Sequence, residues 1–241
     1  MKKVCIQAGH LNIKNNCVVS LRGATGAGGE VSVTEAVMNA LAPMLKAAGI
    51  TVTMVDGNYN CVAGVSSIDY DLFISLHCDM DYAGDQGSGF ADFPEPSTDG
   101  ATAESQRLTK AIQDSFFKEV GISVKSRSNA NTRYYYMWAS LSAKTPCVLI
   151  EMGQVQDAHD SVILKNTMKV AQALCNAILK SLGITAPATG DTVESLKAAL
   201  NNLQIRYDSE HTTRLELEKA KLIRDAQLRD AVKNLNEIIG N

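Results

Sequence analysis

The chain has 241 residues and a mass of 25.9 kDa, room for one ordinary α/β domain and a smaller remainder, which excludes two full domains. Hydrophobic residues make up 45% and charged residues 20%, which excludes wholesale disorder, and 23 Lys+Arg against 26 Asp+Glu leave a net charge of -3, so no global positive field attracts nucleic acid. The apolar runs are shorter than the roughly 18 to 20 residues that insertion into a membrane needs, the start Met1-Lys2-Lys3 has no leader-like apolar stretch after it, and the six cysteines form no CxxC pair, so no signal peptide, membrane span or disulfide framework is expected.

In chain order, residues 4–8 read as a short apolar strand. Residues 31–48 read as a helix, with Val33, Ala36, Val37, Ala40, Leu41, Met44, Leu45 and Ala48 on one face, Gly49 as its stop and Pro43 as an interior conflict expected to kink it. Strands are then expected at 51–55, 72–76, 89–93, 134–137 and 147–150, and helices at 101–120 and 160–182. Continuous apolar strands separated by helices predict an α/β fold, a mostly parallel twisted sheet with helices on both faces. The cysteines read mostly as small core hydrophobes.

Near residue 186 the composition changes. The first 185 positions hold 32 of the 49 charged residues and the last 56 hold 17, with no cysteine and Tyr207 as the one aromatic. Residues 186–192, short and rich in small residues, read as a linker between a domain at 1–185 and a helical tail at 193–241. Stepping four then three from Leu196 to Ile238 meets nine apolar residues in thirteen positions, a coiled-coil-like phase weakened between Glu210 and Arg224. An unbroken helix of that length, about 70 Å, needs a partner, so a homo-oligomer built through the C-terminal helices is expected. Two helices broken near Asp208 to Thr213, docking on the first domain, or wall binding are the alternatives.

Three strands run into polar, metal-competent residues: His10, His77 and Glu151. In open α/β sheets ligands bind beyond the carboxyl ends of the strands, so these side chains can converge, although each alone is also an ordinary polar strand end. The glycine-rich segment before the first helix offers Glu30 and Glu35. Helical geometry turns Glu35 away from the buried stripe, so it reads as solvated, while Glu30 either favours the helix N-terminus electrostatically or turns into the site as a ligand. A phosphate site is the weaker reading, since the GxxxxGK[ST] lysine is missing and Glu30 would repel an anion. His159 reads as a solvent-facing loop residue and His211 as an exposed tail residue. The aromatics at 134–136 and Trp138 line a glycan groove or serve packing.

Ala8-Gly9-His10, Gly23-Ala24-Thr25-Gly26-Ala27-Gly28-Gly29-Glu30, Ser75-Leu76-His77 and Pro146-Cys147-Val148-Leu149-Ile150-Glu151-Met152-Gly153 together resemble the zinc-dependent N-acetylmuramoyl-L-alanine amidases of the Amidase_3 type, found in phage endolysins and bacterial autolysins. The resemblance covers about residues 1–183. It implies that His10, Glu30 and His77 hold Zn2+ and that Glu151 is the catalytic glutamate. It implies peptidoglycan as substrate, cut between N-acetylmuramic acid and L-alanine; a peptidase cutting another amide and a non-catalytic wall-binding protein are the alternatives. Two imidazoles and one carboxylate leave zinc a fourth position for water, whose pKa falls to about 7, while a nearby carboxylate takes its proton and passes it to the leaving amine. With no signal peptide, an enzyme of this kind is expected to be made in a host cytoplasm and to act on the wall after release. The sequence departs from the family's usual residues at Ser20-Leu21-Arg22-Gly23, at Cys78-Asp79 and at Gln154. None of these removes a ligand, but Cys78 beside His77 opens the alternative of an altered metal site.

Overall fold

In a computed structural model of the chain the described residues are 1–14, 17–21, 29–57, 65–79, 90–92, 102–124 and 141–185. The chain divides into two units, Met1–Thr192 and Val193–Asn241. The expected linker, helical tail and strand at 134–137 lie outside the described residues.

Among the described residues the first unit has seven strands and four helices: β1 (Lys3–Ala8), β2 (Leu11–Lys14), β3 (Cys17–Leu21), α1 (Glu30–Ala47), β4 (Thr51–Val55), β5 (Leu72–Asp79), β6 (Phe90–Asp92), α2 (Thr102–Val120), β7 (Cys147–Gln154), α3 (Ala158–Leu164) and α4 (Thr167–Ser181). Five strands make the main sheet in the order β4-β1-β5-β7-β6, parallel throughout except for β6, which runs antiparallel to β7 at the edge. The apolar runs predicted as buried strands are the central ones. Every residue of β5 is buried, and β1 is buried beyond Lys3, as expected of strands covered on both faces, whereas edge strand β4 is half-exposed.

From β1 the chain passes through α1 to β4 on one side, then returns to β5 on the other side of β1. The strand order therefore reverses between β1 and β5, and in open α/β sheets the carboxyl ends of strands at such a switch point are where ligands bind. Sequence reading placed His10 and His77 at those ends.

α1 packs on β1, β4 and β5, α2 on β6 and β7, and α4 bridges α1 and α2, so the three long helices form one layer. On one face of the sheet Cys5, Phe73, Cys147 and Leu149 cluster with Val65, Tyr70 and Leu141, none of them helical. The expected two-sided helical cover is thus met on one face among the described residues. Cys5, Cys78, Cys147 and Cys175 are buried free thiols that pack as small apolar groups, and burial pushes Cys5 and Cys175 up to about 12.

α1 runs through Pro43 without interruption and ends where Gly49 was read as its stop. Gly49 takes a φ of 81°, its N–H donates to Lys46 O and the Ile50 N–H to Leu45 O, the paired closure that a left-handed glycine allows. The helix expected over 160–182 is instead two. Asp157 caps α3 by accepting from the His159 and Asp160 amides at 2.9 and 2.8 Å, and Asn166 caps α4 by accepting from Lys169 N at 3.2 Å. A short amide side chain that competes for backbone groups resets the helix at Asn166, which an apolar periodicity does not register. The β2–β3 hairpin also had no counterpart in the sequence reading. No helix among the described residues is long and apolar enough to cross a membrane.

Phe73 is fully buried in the centre of the sheet. Phe73→Ala is expected to cost about 3–5 kcal/mol, read in urea as a lower unfolding midpoint with an unchanged slope.

Candidate metal centre

His10 stands two residues beyond β1, after Gly9, with a φ of 58°, a left-handed backbone uncommon for residues other than glycine. Its ring meets that of His77, on β5, edge to face at a centroid distance of 5.0 Å. Glu30 is the first residue of α1. Gly29 precedes it as the N-cap residue and makes no side-chain cap, so the carboxylate at the positive helix end is directed into the protein, where it is 3% exposed. Glu30 Oε1 lies 3.0 Å from His77 Nδ1 and 3.7 Å from His10 Nε2, and accepts from Cys78 N at 3.0 Å.

The ligand atoms of His10, Glu30 and His77 all lie within 4.8 Å of one another. Two imidazoles and a carboxylate converging this closely, each brought by a different element, suit a tetrahedral zinc site with one position left open. Burial lowers the His10 pKa below its usual value; the Glu30 carboxylate opposes that shift and the His77 ring adds to it. A lowered pKa keeps the imidazole neutral with a lone pair to donate, as metal binding requires.

Glu151 is the residue of β7 directly opposite His77 of β5, one interstrand spacing away, about 4.8 Å. Just beyond this pair the register shifts, with His77 facing Glu151 but Asp79 facing Gln154, so Met152 and Gly153 together oppose Cys78. Such a bulge re-aims a strand end beside a site. The buried Asp160 holds it by accepting from Gln154 N at 3.1 Å, and a side chain at Gly153 would come within 2.9 Å of Ile122 Cδ1 and 3.2 Å of Asp160 Oδ2.

The structure therefore brings His10, Glu30 and His77 together and sets Glu151 beside them. Glu35 is half-buried rather than solvated, because the buried face of α1 is wider than the predicted stripe and takes in Val31, Thr34 and Met38 as well; it lies outside the cluster. Cys78 is no member of the cluster either. It follows His77 in an extended strand and so points to the opposite face, and burial, with Glu30 and Glu151 adding to it, raises its pKa well above the usual thiol value. His159 is exposed but helical, the second residue of α3, with Nδ1 3.1 Å from Asp160 Oδ1. Asp157, His159 and Asp160 also lie close together, but Asp157 is engaged as a helix cap and Asp160 holds the bulge. The glycine-rich segment before Gly29, the aromatics at 134–138 and His211 fall outside the described residues.

Sequence reading passed over the residues that support the cluster. A Cβ on Gly9 would lie 2.5 Å from His77 Cε1 and 2.6 Å from Leu76 O, and one on Gly57 would collide with His10 N. Gln7, buried beneath, donates to Asp56 O at 3.1 Å and accepts from Ser75 Oγ at 2.8 Å, which fixes the turn that carries Gly57. The one signal in the sequence for this packing was a glycine directly before His10.

Fold and site together define a class, an α/β protein with a candidate metal centre at the switch point of its parallel sheet. The chain belongs to the Amidase_3 family, N-acetylmuramoyl-L-alanine amidases, whose model matches residues 4–180. Its activity is accordingly the hydrolysis of an amide in peptidoglycan. Among solved structures it is similar to the CwlD amidase of Clostridioides difficile, solved in complex with the GerS lipoprotein (19% identity, 77% of this chain and 100% of that one, TM-score 0.60). It is also similar to the amidase Ami1 of Mycobacterium smegmatis (20%, 76% and 98%, 0.59) and to the catalytic domain of the CD27L endolysin, which targets Clostridia difficile (18%, 75% and 98%, 0.57). These likenesses extend the shared fold over about three quarters of the chain. No curated protein sequence matches it.

Gly9→Ala is expected to force the His77 ring or the β5 backbone aside. The metal-free protein should lose about 1–3 kcal/mol in urea denaturation, the usual range for a close-packed site that is overfilled.

Proposed function

We propose that the chain is a zinc-dependent amidase cleaving the bond between N-acetylmuramic acid and L-alanine, with His10, Glu30 and His77 holding Zn2+ and Glu151 as the general base. The observation that carries the reading is the convergence of two imidazoles and a buried carboxylate at the sheet's switch point, with a further carboxylate one strand away.

The donor set fits the ion: nitrogen and oxygen donors, three in number, with His10 kept neutral by burial. Zinc bound there supplies a Lewis acid that polarises the scissile carbonyl and acidifies water. The chain's own residues supply the rest. Glu151 takes the proton of the attacking water on its carboxylate and returns it to the departing L-alanine amine. The Cys78 amide, which donates to Glu30 Oε1 at 3.0 Å, holds that carboxylate in one orientation. No serine or cysteine nucleophile is called for, in keeping with a Cys78 thiol that stays protonated.

Glu151→Gln is expected to lower the hydrolysis of purified peptidoglycan at least about a hundredfold, the usual weight of a general base, while the protein still binds one zinc per chain. Full lytic activity in that variant, or a wild-type protein without zinc, defeats the reading. Mass spectrometry of the digest identifies the bond: a new L-alanine amino terminus supports the muramoyl amide, a different new terminus a zinc peptidase, and binding without release of amines a wall-binding protein.

A further inference from the structure

We propose that Thr34 is a positioning residue for the metal centre, its hydroxyl tying the turn of α1 that carries Glu30 to the carbonyl of Gly9, the residue before His10. The proposal rests on the zinc reading of this site.

Thr34 is completely buried, and its Oγ1 lies 3.2 Å from both Gly9 O and Val31 O. A hydroxyl carries a single proton. The contact with Val31 is the local back-bond that a helical threonine makes one turn behind itself. The contact with Gly9 is of another kind, because it spans 25 residues of sequence and joins α1 to the end of β1. Thr34 lies one turn after Glu30, so its bond to Gly9 sets how far the Glu30 carboxylate stands from the His10 ring, the 3.7 Å pair of the cluster.

Gly9 is in turn the junction of all three ligands. Its N–H donates to Leu76 O at 2.8 Å, directly before His77, its C=O accepts from Thr34, and the next residue is His10. No side chain fits there because His77 occupies the space. His10 is held in a left-handed conformation that the chain alone would not favour, so its orientation depends on the bonds at Gly9. Removing the Thr34 proton loosens one of the two hydrogen bonds by which Gly9 connects the ligands, and leaves the side-chain volume as it was.

The test compares zinc affinity, by competition against a chromogenic chelator, and metal-free melting temperature for the full chain, Thr34→Val and Thr34→Ser. Thr34→Val keeps the branched shape and loses the donor; its zinc affinity should fall about tenfold or more, the range for residues that orient metal ligands. Thr34→Ser keeps the donor and loses the methyl; it should melt lower than the wild type yet bind zinc within about threefold of it, which a role in packing alone would not produce. Wild-type affinity in Thr34→Val overturns the proposal, and so does a Thr34→Ser affinity reduced tenfold, a result that decides the matter even if Thr34→Val fails to fold. Failure of the zinc reading itself has a separate signature, a wild-type chain that binds no zinc.

Discussion

A carboxylate that is 3% exposed has given up nearly all of its hydration, and such a group persists only where donors replace the lost water. Glu30 is that group, and most of the local architecture serves it. The Cys78 amide is aimed at Oε1 because β5 continues past His77, and the His77 ring reaches the same oxygen from the adjacent position. The positive end of α1 stabilises the charge further because Glu30 opens that helix. The docking of α1 against β1 and β5 leaves this carboxylate satisfied. A fold that holds this carboxylate beside two imidazoles has already gathered lone pairs of the kind a divalent cation needs.

The residues of the cluster were legible in the sequence for a simple reason. β1, β5 and β7 are continuous apolar runs, and a polar residue ending such a run stands out. The topology then acts on these ends: because strand order reverses between β1 and β5, residues far apart in sequence meet at one switch point. Glu30 was legible against Glu35 through helical phase, although Glu35 proved half-buried, since phase gives direction and not the width of the face that packs.

What the sequence hid acts through the backbone or through absence. Gly9 and Gly57 matter because a methyl group would strike a histidine, and Gln7 and Thr34 act on carbonyl groups. Neither kind of interaction leaves a periodic trace. Likewise the break between α3 and α4 depends on the side chain of Asn166 accepting from a backbone amide, while the apolar pattern runs across it undisturbed. The β2–β3 hairpin is short enough that its alternation barely exceeds that of any loop, and the strand expected at 89–93 carried no sign of the antiparallel direction that β6 takes.

The bulge opposite Cys78 has a bearing on how such a chain can change over evolutionary time. Side chains alternate along β7, so deleting one residue between Cys147 and Ile150 would rotate Glu151 to the other face of the sheet, though every amino acid of the site was still present. Beyond Glu151 the strand already carries one residue more than its partner, and a length change there falls on a segment whose pairing is broken in any case. Two neighbouring stretches of a single strand thus differ sharply in their tolerance of insertions and deletions. In related chains length variation should collect on the far side of the glutamate, while the approach to it stays fixed in length even where its letters drift.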